Sequence, residues 1–158
     1  MNYKIITVGE LKEKYLQAAQ KEYLKRLSRF GKTRVFEVKE ERLPQNPSDK
    51  EIDQCLEKEG EKILKLAGQD YKVVLAIEGK EYSSEKFAKM IYNKAVQGLG
   101  SICFVIGSSY GIHPRVKAQS DALLSFSKMT LPHQLMQIVL LEQVYRAEKI
   151  NAGEVYHK

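Results

Sequence analysis

The sequence predicts an α/β fold, a parallel-dominated sheet with helices on both faces, and three observations carry that prediction. Short apolar runs alternate with longer stretches of helical periodicity along the whole chain. Val73–Ile77 and Ile102–Ile106 are apolar at every position, the pattern of strands covered on both sides. Glycines punctuate the ends of the runs, as at Gly9, Gly31, Gly68 and Gly107. With 158 residues and neither repeats nor a linker, the chain reads as a single domain over 1–158.

Taken in order, Ile5–Val8 is a first strand ending at Gly9, and Leu16, Tyr23, Leu24, Leu27 and Phe30 mark a helix closed by Gly31. Val35–Val38 is a second strand. Pro44 and Pro47 set a loop, after which Ser48 and Glu51 form a capping box for a helix through Ile52, Leu56, Ile63 and Leu66 to Gly68. Val73–Ile77 is the third strand. Ser83 or Ser84 caps the next helix, through Phe87, Met90, Ile91 and Ala95 to Gly98 or Gly100. Ile102–Ile106 leads into Gly107-Ser108-Ser109-Tyr110-Gly111, a short helix from Pro114 to Gln119, a last strand at 122–126 and a closing helix to about Glu148 with Pro132 in its first turn.

Composition narrows the setting. Apolar residues make up 43% and charged residues 29%, which excludes disordered and fibrous classes. No apolar run approaches the ~20 residues of a membrane span, and the first residues lack the apolar length and cleavage site of a signal peptide. Cys55 and Cys103 stand apart from each other and from any histidine cluster, so no disulfide framework or zinc site is expected, and a cytoplasmic location is. The net charge of +6 is spread thinly. Its densest part, Lys21, Lys25, Arg26, Arg29, Lys32 and Arg34 around a single Glu22, suits RNA phosphates or merely a solvated helix face.

In parallel sheets ligands bind at the carboxyl ends of strands. That singles out Ile77–Gly79, Gly107–Gly111 and Ser125–Leu131. The glycine loop has neither a P-loop ending nor dinucleotide spacing, and no Ser–His–Asp order or HExxH motif occurs. His133 stands beside the third loop, where an imidazole can hydrogen-bond a base or a ribose; His113 beside Pro114 reads as structural. The closing helix is apolar nearly all round from Leu135 to Leu141, broken only by Gln137, and so needs two burial partners: its own sheet and a second copy of the chain. Arg146 is placed for phosphate or base contact or for an ion pair with Glu142 one turn back. The ending Tyr156-His157-Lys158 has the length of a frayed tail but carries a stacking ring, an imidazole and a charge, groups suited to an unstacked base.

Leu124–Gln134, Leu141–Ala147 and Gly153–Lys158, with the Val8–Lys12 opening and Phe104–Gly107, resemble the RlmH (YbeA-type) branch of the SPOUT methyltransferases, and the resemblance spans the chain. It implies a homodimeric α/β domain with a C-terminal trefoil knot, which topological rules alone would not suggest. It also implies methyl transfer from S-adenosylmethionine to N3 of a pseudouridine in 23S ribosomal RNA of the large subunit or assembled ribosome, without a metal. By matching motif the cofactor would lie against Leu75, Gly107 and the loop Phe126, Ser127, Lys128, Met129, Thr130 and Leu131. The substrate side would map onto His133, Arg146, Tyr156 and His157. Ser108 departs from the pattern, since a second glycine often follows Gly107. Two rivals are a non-catalytic RNA-binding module using the basic patch and an enzyme of the same fold acting on transfer RNA.

Overall fold

A computed structural model describes all 158 residues. The elements are β1 (Asn2–Val8), α1 (Lys14–Leu27), β2 (Thr33–Val38), α2 (Asp49–Ala67), β3 (Tyr71–Glu81), α3 (Ser84–Val96), β4 (Ser101–Ile106), α4 (Pro114–Ala118), β5 (Ala122–Ser125) and α5 (His133–Asn151). The five strands form one sheet in the order β2-β1-β4-β3-β5, and every pairing is parallel. This is the fold class expected from the alternating pattern.

The reason for the uninterrupted apolar runs is visible in the packing. Ile102, Phe104 and Ile106 of β4 enter a core with Leu27 of α1, Phe87 and Ile91 of α3, and Leu140, Leu141 and Val144 of α5. The intervening Cys103 and Val105 enter a second core with Ile63 and Ala67 of α2 and Val116 of α4. Successive side chains of a strand point to opposite faces, so a strand covered on both sides has no polar position to spare. β1 repeats the arrangement, with Tyr3 and Ile5 on one face and Ile6 and Val8 on the other.

Local signals set the helix ends. Ser48 accepts from the Glu51 amide at 3.2 Å and the Glu51 carboxylate accepts from the Ser48 amide at 3.1 Å, completing the capping box. Of the two candidates for α3 it is Ser83 that caps, accepting from the Lys86 amide at 3.3 Å. Pro132 stands one position outside α5 as its N-cap, not within the first turn. The third strand is longer than its apolar stretch. Leu75 and Lys80 both pair with Leu124 of β5, so residues 76–79 bulge outward between two pairing segments. Gly79 makes this feasible, because a Cβ there would lie 2.7 Å from the β5 backbone at Leu123 and Leu124.

α5 lies between α1 and α3 on one face of the sheet. Gln137, its single polar interruption, is buried and accepts from Gln20 Nε2 at 2.7 Å, while Asn151 Nδ2 donates to the Ala88 carbonyl at 3.0 Å. Tyr3 donates its hydroxyl to Glu148; burial and that carboxylate push the phenol well above its ordinary range. On the other face Glu59 of α2 is 3% exposed and accepts from the Glu41 amide at 3.0 Å. Burial raises its carboxyl above the usual value, with Glu40 and Glu41 adding to the rise against the hydrogen bond. A raised carboxyl pKa means stability present below the unfolded value of 4.5 and lost as pH rises through the folded value. Glu59→Gln is therefore expected to melt above the native protein at pH 7 and level with it below about pH 4.5. A pH series of thermal melts checks this, and a Tm difference independent of pH would count against it.

Candidate active site

The carboxyl ends of β3, β4 and β5 open onto one cavity of about 260 Å³. All three loops chosen from the sequence contribute to it. Leu75, Gly107, Phe126, Ser127, Met129, Thr130 and Leu131 line it, whereas Lys128 is exposed and is not part of the lining. Glu78, from the first of those loops, lines it too, while the sequence did not single out Ile112, Lys117 and Met136, which complete the wall. They lie on neighbouring elements, and no spacing within one segment would bring them together.

Gly107 is shaped by close approach. A Cβ on it would sit 2.4 Å from Ile112 Cγ1 and 2.6 Å from the Gly111 carbonyl oxygen. The loop turns back on itself, with the Gly111 amide donating to the Ser108 carbonyl at 2.9 Å and Gly111 at φ +87°. Ser108, the departure from the family pattern, fits: its hydroxyl accepts from the Tyr110 amide at 3.3 Å. On the opposite wall the 126–131 backbone makes no backbone–backbone hydrogen bond, so amide and carbonyl groups other than the Met129 amide and the Ser127 carbonyl can meet a polar ligand. Ser125 Oγ donates to the Ser127 carbonyl at 3.0 Å and the Met129 amide donates to Ser127 Oγ at 3.0 Å, so the loop is shaped by its own hydroxyls. At the rim Lys117 pairs with Glu78 at 2.6 Å and holds that carboxyl below its usual range.

The residues expected on the substrate side divide into two groups. His133 lines the cavity, and its Nε2 lies 3.4 Å from where a Gly9 Cβ would be, with a Glu40 carboxylate oxygen 3.7 Å from the same point. Gly9 thus lets the loop after β1 run close to both His133 and Glu40. Arg146 lies thirteen positions further along α5, which at 1.5 Å per residue is roughly 20 Å away. Arg146, Tyr156 and His157 do come together there. Arg146 donates from Nη2 to Glu142 Oε1 at 2.5 Å and from Nε to Oε2 at 3.3 Å, the ion pair that the helical spacing allowed. Its guanidinium covers the Tyr156 ring at 4.7 Å, and the Tyr156 hydroxyl donates to the same Glu142 carboxylate at 3.1 Å. Glu142 raises both the Arg146 guanidinium and, after burial, the Tyr156 phenol.

The tail is docked rather than frayed. Tyr156 meets Tyr145 edge-on at 5.0 Å, and Glu154 pairs with both Arg29 and Lys149. The basic patch, which runs from α1 into β2, is exposed and adjoins this cluster, with Arg26 above the Tyr23 and Tyr145 rings. His113, read as structural, caps α4 by accepting from the Arg115 amide at 3.1 Å and reaches Asp53 of α2 at 3.2 Å. Cys55 and Cys103 are free thiols, and no group of histidine, cysteine and acidic side chains is gathered for a metal. No helix is long and apolar enough to cross a membrane.

The family model described as "Predicted SPOUT methyltransferase" matches residues 1–157. The chain belongs to the SPOUT methyltransferase family. Within it, proteins named "Ribosomal RNA large subunit methyltransferase H" are similar over the full length of both chains: 52% identical in Bacillus cytotoxicus, 50% in Streptococcus sanguinis and 48% in Clostridioides difficile. A solved structure titled as a probable methylase family protein from Haemophilus influenzae superposes with a TM-score of 0.57 at 11% identity, covering 99% of this chain and 70% of that one, and supports the fold alone. The RlmH-branch resemblance seen in Leu124–Gln134 and Gly153–Lys158 therefore extends across the SPOUT domain, and SPOUT membership makes the chain a methyltransferase that needs a methyl donor.

Proposed function

We propose that this SPOUT methyltransferase moves a methyl group from S-adenosylmethionine to N3 of a pseudouridine in 23S ribosomal RNA of the large subunit, as a cytoplasmic homodimer. One observation carries the reading: the full-length identity to proteins named Ribosomal RNA large subunit methyltransferase H. The cavity supplies a place for the cofactor. Leu75, Gly107 and the Phe126–Leu131 loop would hold it through apolar walls and backbone groups without backbone partners, with Lys128 exposed beside the lining. When bound, the cofactor supplies an electrophilic methyl on a sulfonium. The connection from β4 to β5 passes over β3, and β3 presses Gly79 onto the β5 backbone, features that suit the trefoil knot implied by the family.

The chain's own residues must handle the proton. N3 of a pseudouridine carries one that is exchanged for the methyl group, so the site has to favour the anionic base and let the proton leave. Arg146, a permanent cation, favours the anion; Tyr156 offers a ring for stacking; His157 and His133 can position the base or relay the proton. A single chain holds His133 roughly 20 Å along the helix from Arg146. A second copy packed on α5 would bring the Arg146 cluster of one chain to the cavity of the other.

Apolar side chains left open at the cavity and on α5 support that partner: Met129 is 77%, Ile77 52% and Leu135 40% exposed, with Ile138 and Val139 half-buried. Leu135→Asp is expected to convert a dimer into a monomer in sedimentation, with transfer lost and cofactor binding kept. A native protein that is monomeric and active would overturn the shared site. Labelled methyl offered with naked 23S RNA, isolated large subunits and whole ribosomes tests the function itself. Labelling of large-subunit RNA at a pseudouridine is the expected result. Labelling of transfer RNA instead, or RNA affinity without cofactor binding in calorimetry, would replace the reading by one of its rivals.

A further inference from the structure

His157 is held at both ring nitrogens. Nδ1 lies 3.2 Å from Arg146 Nη1, and Nε2 lies 2.8 Å from Glu85 Oε1. A guanidinium has only N–H donors, so the nitrogen that meets it has to accept. Nδ1 is therefore the lone-pair nitrogen, and Nε2 carries the hydrogen and donates it to Glu85. Either alternative form, the Nδ1–H tautomer or the imidazolium, would turn an N–H toward the N–H groups of Arg146.

We propose that Glu85 is a positioning residue of the methyl-transfer site: by accepting Nε2–H it holds His157 in the tautomer whose Nδ1 faces Arg146, and so aims the guanidinium. The proposal rests on the function given above and adds a residue to it. Glu85 sits in the first turn of α3, next to the Ser83 cap, and α3 packs along α5, so its carboxylate reaches the tail from a rigid neighbour. Its own backbone amide, then the His157 and Ser83 side chains, hold its carboxyl at about 2, which leaves it an acceptor at any working pH. From the other side Glu142 takes Nε and Nη2 of Arg146, so that Glu142 and the Glu85–His157 pair grip the guanidinium at its two ends. The remaining N–H groups are free for an anionic base. The Glu85 side chain is 62% exposed, so the contact acts through orientation rather than through the stability of the fold.

The decisive measurement pairs nitrogen NMR of the His157 ring in the full-length protein without RNA with steady-state transfer to large subunits. The native ring is expected in the Nε2–H form. Glu85→Gln keeps a carbonyl oxygen as acceptor and should retain both the tautomer and turnover. Glu85→Ala should lose the single tautomer and lower kcat by about tenfold with KM for the subunit unchanged. A native ring in the Nδ1–H form, an alanine variant with native tautomer and kcat, or a glutamine variant as impaired as alanine would each overturn the proposal. A native protein that transfers no methyl group would remove the functional reading instead, and the ring measurement would still judge the Glu85 contact by itself.

Discussion

Arg146→Ala is expected to lower methyl transfer to the large subunit by about 10²- to 10³-fold, the range seen when one preorganised charge-stabilising donor is removed. The cause is the anionic base: without a fixed cation nearby, loss of the N3 proton is not offset where the methyl arrives. Cofactor affinity should be unchanged, because Arg146 is assigned to the base and is not among the residues that line the cofactor cavity of its own chain. Glu142, which accepts from Arg146, Tyr156 and Gln143, would keep the tail partly docked through Tyr156. Single-turnover transfer measured beside calorimetry with the cofactor separates the two effects. Near-native turnover would remove Arg146 from the chemistry, and a parallel loss of cofactor affinity would show that it acts through the fold.

Gly107→Ala is expected to fail at the earlier step. The added Cβ would lie 2.4 Å from Ile112 Cγ1 and 2.6 Å from the Gly111 carbonyl oxygen, and the second of these is backbone that cannot rotate aside. The loop must move, with an overpacking penalty of about 1–3 kcal/mol and a displaced cavity wall. Cofactor affinity should fall by at least tenfold, as about 1.4 kcal/mol of lost complementarity would bring. Gly100→Ala is the control, since nothing lies within 4 Å of a Cβ there and its φ is ordinary. It should bind and melt like the native chain. If Gly107→Ala also bound the cofactor normally, the wall at Gly107 would not be part of the cofactor site.

Much of the site was legible in the residues. Strand ends in a parallel sheet are where ligands bind, and the three apolar runs followed by small polar loops marked those ends before any contact was known. Seven of the loop and strand positions named in advance, from Leu75 to Leu131, do line the cavity. Lys128 is not among the lining residues, and motif matching carries no information about which members of a loop reach a cavity. Glu85 was not legible at all. It belongs to a different element from His157, and the pairing leaves no trace in spacing.

The sequence by itself determined the alternation of strands and helices, the double burial of β4 and of Val73 and Val74 in β3, the capping of α2 and the apolar surplus of α5. All of these follow from local periodicity and from the chemistry of single residues, which folding does not alter. Only the tertiary structure decided the strand order β2-β1-β4-β3-β5 and the bulge of β3 over β5. It also decided that the tail docks, with His157 set between Glu85 and Arg146. Those are relations between segments far apart in the chain, set by how two cores and a buried sheet are packed at once, and no local pattern specifies them.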